Sequence, residues 1–415
     1  MTAPPELAAD LDPDRAVEIL IEGHRAHGGV FTLTGTGIPL VCCVGDTALE
    51  MLRGERRHLA VHNTPVVHEL FGRAVFTLTG AEHTAARRLL RTGLTRTAVA
   101  ASAATMIDLA GDHVARWAAA GPIDLYRAVR EFTVTVCLHV VTGLPQSVHR
   151  EAAELFEAFA AGTAVTAGAE PAGIHRRALE AAAGLRVVLR DRLSRTGSGT
   201  DVVSRLLTAG AVADEDLPDH LLALLIAARE TTASLITWSL LELAAHPELA
   251  TALRADAVVG LGDPRRLVSA ETLPGLRAWL TEVERLHSPN AISVRKTLCP
   301  WQIAGFTVPE DTLLAYSPAA NHLLPHRWPA PHRFDLRRHL HAGGRSDLLT
   351  FGRGAHACLG REFAETMTLA MLAVVLAGHR ISVDTTPAKV RYLPVKAPCE
   401  PIKARVEPGL RVGSC

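Results

Sequence analysis

Residues 351–360, FGRGAHACLG, place one cysteine among three glycines and a histidine, directly ahead of a run with helical spacing. A thiolate is favoured at the N-terminus of a helix, where free N–H groups supply positive potential. Glycines at 352, 354 and 360 permit turns and a close approach that a Cβ would obstruct. A lone cysteine in such a turn is more often a buried structural thiol, so the rest of the chain must decide what Cys358 does.

The composition excludes several classes of protein. The chain has 415 residues, 48% of them hydrophobic, which is enough to bury a large core. Its 43 Lys and Arg residues equal its 43 Asp and Glu residues, which argues against a strongly basic nucleic-acid-binding protein. The seven cysteines show no C-x-x-C spacing, so neither a disulfide framework nor a zinc ribbon is indicated. The sequence has no basic, apolar leader and no uncharged apolar stretch of about 18 residues. We therefore expect a cytoplasmic protein without a membrane span.

The pattern along the chain predicts mainly α structure with small β-sheets. Long Ala/Leu/Arg segments with helical spacing are broken by turn sequences such as TGLPQS and ADEDLPDH. Short runs of β-type residues occur near the start (VFTLTG, PLVCCVG) and again later (ISVRKT, WQIAGFTV, TLLAYSP). We expect a single domain over residues 1–415, with β-containing edges at roughly 28–45 and 291–318 and helical regions at roughly 84–290 and 358–378.

The opening segment resembles the haem-thiolate loop of the cytochrome P-450 superfamily, whose pattern is F-G-x-G-x-H-x-C-x-G. All six specified positions match, so the resemblance is specific. It implies the cytochrome P-450 fold, with haem b (iron protoporphyrin IX) between an oxygen-binding helix and the cysteine-loop helix. Cys358 would be the thiolate ligand of the iron, which favours O–O cleavage. His356 would bind a haem propionate, Phe351 would cover the sulfur and Gly360 would allow close approach.

A second segment places an acid and two hydroxyls in the middle of an apolar helix. A charged Glu on an apolar face is costly, and Ser or Thr is unfavourable within a helix unless it bonds a backbone carbonyl. One interpretation is that Glu230 faces water and Thr231 bonds its own helix. The stretch AARETT, residues 227–232, also resembles the family's oxygen-binding helix, A/G-G-x-D/E-T-T/S. That resemblance implies an acid–alcohol pair of Glu230 and Thr231 for proton delivery, with Ala228 beside the haem where glycine is usual.

Two further segments resemble the family's propionate-binding positions. His83 and Arg87 are spaced i, i+4 in GAEHTAARRLL and therefore share a helical face. Two such side chains usually face solvent, but they match the family's H-x-x-x-R helix. Arg295, in AISVRKT, matches the family's propionate arginine. The resemblance implies that these three side chains, together with His356, bind the two haem carboxylates.

A carboxylate and a guanidinium in TEVERLHSP lie three residues apart on a predicted helix. A pair of this kind is usually a surface ion pair of little energetic value. Here it resembles the family's E-x-x-R helix, and APHRFDL contains the P-x-R-F pattern. The resemblance implies a buried structural triad of Glu282, Arg285 and Arg333 that supports the cysteine loop.

Taken together, these segments imply a haem-thiolate monooxygenase that uses dioxygen and two electrons to hydroxylate or epoxidise a lipophilic molecule. The segment LFGRAVFTLTGAEH, residues 70–83, looks closer to the sterol- and retinoid-oxidising branches, which favours a terpenoid or polyketide-like intermediate of specialised metabolism. Electrons would come from a ferredoxin or flavodoxin-like donor with its reductase, docked on a basic face. Two alternatives stay open at this point, namely an enzyme that uses peroxide or couples or rearranges its substrate, and a non-catalytic haem sensor. By family analogy, the substrate-contacting residues would be Phe71, Phe76, Leu224, Ala227, Ile292 and Val294. The basic face would comprise Arg353 and Arg361, which flank the cysteine loop, and Arg88 and Arg91, which follow the H-x-x-x-R segment; the alternative is that these are ordinary solvated arginines.

Overall fold

Helices carry most of the chain, as the long Ala/Leu/Arg segments predict. A computed structural model describes residues 2–163, 173–195, 199–210, 214–268, 272–340, 348–384 and 389–409. Its α-helices are α1 Ala16–His27, α2 Asp46–His58, α3 Pro65–Phe71, α4 Gly80–Gly93, α5 Arg96–Ala120, α6 Leu125–Val136, α7 His149–Thr163, α8 Ile174–Ser194, α9 Val202–Thr208, α10 Leu217–Ala245, α11 Pro247–Gly262, α12 Pro274–Leu286, α13 Pro318–His322 and α14 Arg361–Gly378. A π-helical turn, Cys137–Thr142, extends α6.

The strands are short, and most of them fall where β-type runs predict them. They are β1 Glu6–Leu7, β2 Val30–Leu33, β3 Leu40–Cys43, β4 Leu59–Val61, β5 Ile123–Asp124, β6 Ser293–Thr297, β7 Trp301–Ile303, β8 Phe306–Val308, β9 Leu313–Tyr316, β10 His379–Val383, β11 Val390–Arg391, β12 Ala397–Pro398 and β13 Lys403–Pro408. The prediction of a mainly α fold with small sheets is confirmed.

The chain folds as two compact units. The first unit, called here the sheet unit, comprises Met1–His62, Arg277–Cys358 and Pro387–Pro401. The second, the helical unit, comprises Asn63–Leu276, Leu359–Thr386 and Ile402–Cys415. The predicted single domain and its boundaries stay a prediction.

A six-stranded mixed sheet organises the sheet unit. Its strand order is β1-β2-β3-β9-β6-β4, with β3 parallel to β9 and β6 antiparallel to β9. Successive side chains alternate between two apolar clusters, because neighbouring residues of a strand point to opposite faces. Phe31, for example, belongs to the cluster that includes α1, whereas Val30 belongs to the cluster that includes Met51 and Leu52 of α2. The second cluster also contains Leu349, two residues before the cysteine loop begins.

The long helix α10 is central to the helical unit. It packs against α6, α8 and α14 of the same unit. It also contacts β10, an edge strand of a small sheet of order β10-β13-β5. Within the described part of the chain, α10 is the one helix long and apolar enough to cross a membrane, and 67% of its most apolar 18-residue window is buried inside the protein. Burial of this kind is typical of a core helix.

Helix α2 is the main element that sequence patterns did not predict. Its polar, Arg-rich sequence DTALEMLRGERRH has few apolar residues, yet Ala48, Met51, Leu52 and Glu55 are all buried. The spacing i, i+3, i+4 and i+7 of these residues is helical, but its last member is an acid, so the pattern is hard to detect. That acid becomes important at the candidate site.

Candidate active site

The cysteine loop has a tightly turned backbone that leaves the thiol accessible. Gly352 and Gly354 adopt φ values of 63° and 78°, which strongly favour glycine. The Cys358 N–H donates to the Phe351 carbonyl at 2.8 Å and closes the loop. The Cys358 side chain is exposed, and α14 begins three residues later at Arg361. The loop therefore presents a thiol on a constrained backbone.

Gly354 allows the loop backbone to pass close to α2. A Cβ at this position would lie 2.9 Å from Oε2 of Glu55 and 3.0 Å from the Leu52 carbonyl oxygen. Both contacts are tight, so a side chain here would require the Glu55 carboxylate to shift and the Leu52 carbonyl to move by a few tenths of an ångström. Glycine at 354 is thus required by packing as well as by its φ angle.

Below the loop, Glu282 and Arg285 form a fully buried ion pair on α12. Arg285 Nε and Nη2 donate to the two carboxylate oxygens of Glu282 at 2.8 Å each, and both side chains are 0% exposed. The remaining donors of Arg285 bond the carbonyls of His322, Pro331 and Arg333 at 3.0, 2.7 and 3.2 Å. A buried ion pair is tolerated only when its polar atoms are satisfied in this way.

His322 connects this ion pair to the start of the cysteine loop. Its Nδ1 lies 3.2 Å from the Arg285 carbonyl, and its Nε2 lies 2.8 Å from the Leu349 N–H. Burial, together with the nearby charge of Arg285, lowers the pKa of His322 to about 3. The ring is therefore neutral near pH 7, and it donates through Nδ1 and accepts through Nε2. Sequence reasoning missed this residue because a histidine in NHLLPH has no distinguishing spacing.

The structure corrects the third member of the predicted triad. Arg333 has an exposed side chain, and it contributes only its carbonyl oxygen to Arg285. The side chains that reach Glu282 are those of Arg338, at 3.3 Å, and His339, at 2.7 Å. The arginine of the P-x-R-F pattern, Arg333, lies five residues before Arg338. The residues around Arg338 read Leu-Arg-Arg-His, with neither the proline nor the phenylalanine of the pattern. Pattern matching therefore selected the wrong arginine.

Arg295 lies on β6 and is held by α2. Its Nε donates to Glu55 Oε1 at 2.6 Å, and its Nη1 donates to Ser293 Oγ and the Val294 carbonyl at 2.9 and 3.0 Å. Among the described residues, no acceptor is found for Nη2. The second oxygen of Glu55 accepts from the His356 N–H at 3.2 Å. The structure thus joins two of the predicted propionate-binding residues, Arg295 and His356, through a carboxylate that the sequence did not point to.

In the helical unit, α10 is continuous through the predicted oxygen-binding segment. Thr231 Oγ1 donates to the Ala227 carbonyl at 2.6 Å. A hydrogen bond of Thr231 within its own helix was one of the two interpretations of this segment. Ala228 stands in an uninterrupted helix, Leu217–Ala245. Four residues of α10 are half-buried or exposed although most of the helix is buried: Leu224, Ala227, Ala228 and Thr231. Their spacing of i, i+3, i+4 and i+7 places them on one face.

Glu230 lies on a different face of α10 from Thr231 and is bound by α6. Tyr126 Oη donates to its Oε2 at 2.8 Å, and Arg130 Nε lies 2.9 Å from its Oε1. Arg229, which is almost fully buried, contacts both Glu230 and the exposed Glu157 of α7. Glu230 is therefore part of an ion-pair network that reaches the surface at Glu157. The alternative interpretation of the sequence, in which Glu230 simply faces water, does not describe these contacts.

The remaining predicted site residues lie at separate places. His83 is buried on α4, and burial together with nearby Arg87 lowers its pKa, so it is a neutral donor near pH 7. Phe71 packs edge-on against both Phe76 and Phe159, with ring centroids 4.7 and 5.0 Å away. In the sheet unit, Ile292 is 8% exposed and belongs to the core cluster, against which Val294 also packs.

Comparison with known proteins identifies the class. The family model described as cytochrome P-450 matches residues 186–398, about half of the chain, so the protein belongs to this family. A cyclooctat-9-en-7-ol 5-monooxygenase from Streptomyces melanosporofaciens is 28% identical over 340 residues, covering 75% of this chain and 73% of that protein. Abscisic acid 8'-hydroxylase 2 from Oryza sativa subsp. indica is 26% identical over 414 residues, covering 92% of this chain and 80% of that protein.

Solved structures agree on the fold. The retinoic acid-bound cyanobacterial CYP120A1 superposes with a TM-score of 0.86 at 20% identity, covering 99% of this chain and 100% of that one. The chain therefore has the cytochrome P-450 fold, and it is a haem-thiolate monooxygenase that binds protoporphyrin IX haem.

The described residues fit a haem group. The sheet unit offers an exposed thiol at Cys358 and a guanidinium nitrogen at Arg295 that has no acceptor among the described residues. Among the described residues, a Cβ at Gly360 would meet no heavy atom within 4 Å, so space exists beside this position. A thiol for the iron and a donor for a carboxylate are groups that haem b requires.

The corrected triad can be tested by two matched substitutions. Arg338→Ala removes a cation from the buried Glu282 carboxylate and should lower the free energy of unfolding by about 1.5–3 kcal/mol. Arg333→Ala removes an exposed side chain and should change it by less than about 0.5 kcal/mol. Urea unfolding of both haem-loaded variants, followed by far-UV circular dichroism, measures the difference. A larger loss for Arg333→Ala would restore the original assignment.

Proposed function

We propose that this monooxygenase oxidises a lipophilic isoprenoid, with Cys358 as the axial ligand of the haem. The observation that carries the proposal is the exposed thiol of Cys358 at the end of a loop whose base is braced by buried, fully bonded charges. When bound, the haem supplies activation of dioxygen with two electrons from a redox partner. Phe351 would cover the sulfur, while His83, Arg87, Arg295 and His356 would bind the propionates.

Proton delivery would be the task of Thr231 and Glu230. The Thr231 hydroxyl donates to the Ala227 carbonyl, so its oxygen lone pairs are available to accept a hydrogen bond on the open face of α10. Glu230 is half-buried and would take protons directly from solvent, while the guanidinium groups of Arg229 and Arg130 hold its carboxylate without carrying protons. It must leave Tyr126 or Arg130 to pass the protons on. Ala228 would place a methyl group beside the haem where glycine is usual.

The substrate class follows from the chemistry of the residues that would contact it. Phe71, Phe76, Leu224 and Ala227 are apolar, and Ile292 and Val294 would add to them. Relatives with the same fold are named for cyclooctat-9-en-7-ol and abscisic acid, and one structure contains retinoic acid. All three compounds are isoprenoids with a large hydrocarbon part and few polar groups. Contacts with apolar side chains favour such ligands.

We further infer a ferredoxin or flavodoxin-like electron donor, a cytoplasmic location and a role in specialised metabolism. An acidic donor would suit the exposed arginines near the cysteine loop and on α4, because complementary charge speeds association. These are Arg88, Arg91, Arg353 and Arg361, all with exposed side chains.

The axial ligand can be tested by spectroscopy. Reduced protein with carbon monoxide should show the strongly red-shifted Soret band of thiolate-ligated haem, and Cys358→Ala should abolish it because the thiolate is lost. Cys399→Ala is the matched control, since Cys399 is also exposed and should leave the band unchanged. A histidine-type spectrum from the unaltered protein would exclude Cys358 as the ligand.

The proton-delivery assignment predicts uncoupling in a hydroxyl-free variant. With a surrogate ferredoxin and reductase, Thr231→Ala should raise the share of NADH electrons recovered as hydrogen peroxide. Product formation should fall by about tenfold or more, since positioned proton transfer commonly contributes ~10²–10⁴-fold. Thr231→Ser keeps the hydroxyl and should stay close to the unaltered enzyme. Equal peroxide yields from all three proteins would remove Thr231 from proton delivery.

The substrate class predicts a spin-state response to isoprenoids. Titration of the ferric protein with retinoic acid and with a cyclic diterpene alcohol should convert low-spin to high-spin haem, whereas a disaccharide should not. Ala227→Phe places a ring on the open face of α10 and should weaken the response by about tenfold or more. Ala119→Phe, at an exposed position of α5, is the control. A response to the disaccharide alone would contradict the proposed class.

A further inference from the structure

A buried acid, Glu55, joins the two parts of the sheet unit that face the candidate haem site. Glu55 is 1% exposed on α2, an element that sequence patterns did not predict. Its Oε1 accepts from Arg295 Nε at 2.6 Å, and its Oε2 accepts from the His356 N–H at 3.2 Å. One carboxylate therefore bonds the β6 arginine and the cysteine-loop backbone at the same time.

Burial of this acid is not explained by stability alone. Removing a carboxylate from water costs several kcal/mol, and a buried ion pair often contributes no more to stability than well-packed apolar residues would. The neighbours Met51 and Leu52 show that apolar side chains fit on this face of α2. A charged residue at this position therefore points to a role in orienting its partners.

The geometry of Arg295 shows what Glu55 orients. With Nε on Glu55 and Nη1 on Ser293 and the Val294 carbonyl, the guanidinium plane is fixed, and it lies 5.7 Å above the Tyr316 ring centroid. Nη2 is the nitrogen for which the described residues provide no acceptor. Since a guanidinium binds carboxylates through its planar edge, fixing the plane determines how it can meet a propionate.

Glu55 also limits the position of the cysteine loop. Its Oε2 accepts from the His356 N–H and lies 2.9 Å from where a Cβ on Gly354 would be, so the loop packs directly on the carboxylate. The loop carries Cys358 two residues after His356. A shift of Glu55 would therefore move both a haem-binding cation and the backbone that presents the thiol.

We propose that Glu55 is a positioning residue of the haem site, which orients Arg295, holds the cysteine loop and offsets the positive charge of Arg295. This proposal rests on the assignment of Cys358 and Arg295 to the haem made above. A negative charge near the haem stabilises the ferric form relative to the ferrous form. Loss of that charge leaves Arg295 uncompensated, so reduction becomes easier.

The test compares three variants of the haem-loaded protein. Glu55→Gln keeps the shape and can still accept from the loop N–H, but it removes the charge. Glu55→Asp keeps the charge and shortens the reach by one methylene. Asp201→Asn is the matched control, because Asp201 forms a similarly buried pair with Arg192 in the helical unit, at 3.1 Å. The readouts are the ferric/ferrous reduction potential and the rate of haem transfer to apomyoglobin.

We expect Glu55→Gln to raise the reduction potential and to speed haem loss by about tenfold, as supporting residues around a metal site commonly do when replaced. Glu55→Asp should keep the potential near that of the unaltered protein while speeding haem loss. Asp201→Asn should change neither readout. An unchanged potential in Glu55→Gln, or an equal shift in Asp201→Asn, would overturn the proposal.

The carbon monoxide spectrum separates this proposal from the assignment on which it rests. A thiolate-type band in the unaltered protein, with no change of potential or haem loss in Glu55→Gln, would overturn the role of Glu55 alone. A histidine-type band in the unaltered protein would overturn the assignment of Cys358 and the proposal with it.

Discussion

The buried carboxylate of Glu282 is the constraint on which the cysteine loop depends. Burial alone would raise its pKa, but hydrogen bonds from Arg285 and His339 outweigh burial and lower it, so the group is ionised near neutral pH. An ionised carboxylate without contact to water must be surrounded by donors. Those donors come from α12, from the Asp335 N–H at 2.9 Å and from the segment 338–339. Satisfying one charge therefore orders the helix and the irregular segment that precedes the loop.

Glu55 shows the same arrangement as Glu282, because its buried carboxylate also bonds an arginine side chain and a backbone N–H. In both cases the acid is buried and not on the surface. The sheet unit thus uses polar contacts, which depend on direction, to fix a loop whose glycines alone would leave it flexible. The apolar clusters on either side of the sheet supply most of the stabilisation, but they do not determine where the loop backbone passes.

The motifs of the candidate site can be recognised in the sequence because each lies in a contiguous segment. Cys358, His356 and the glycines lie within ten residues, and Glu282 and Arg285 within four. Such short motifs can be detected in the sequence without knowledge of the fold. The prediction was wrong for Arg333, because its role depends on which of several arginines reaches a buried acid after the chain has folded. Glu55 and His322 were missed for the same reason. Each acts through a partner far away in sequence, and nothing in its immediate neighbourhood distinguishes it from a surface residue.

The contacts of Glu55 also impose an order on biosynthesis. Its two partners lie 240 and 301 residues further along the chain. At ~5–20 residues per second, a ribosome takes about 15–60 s to pass from Glu55 to His356. During that interval α2 carries an acid whose partners have not yet been made. If Cys358 and Arg295 hold the haem as proposed, cofactor loading follows synthesis of the chain as far as Cys358, and until then the nascent chain is an apoprotein exposed to proteases and chaperones.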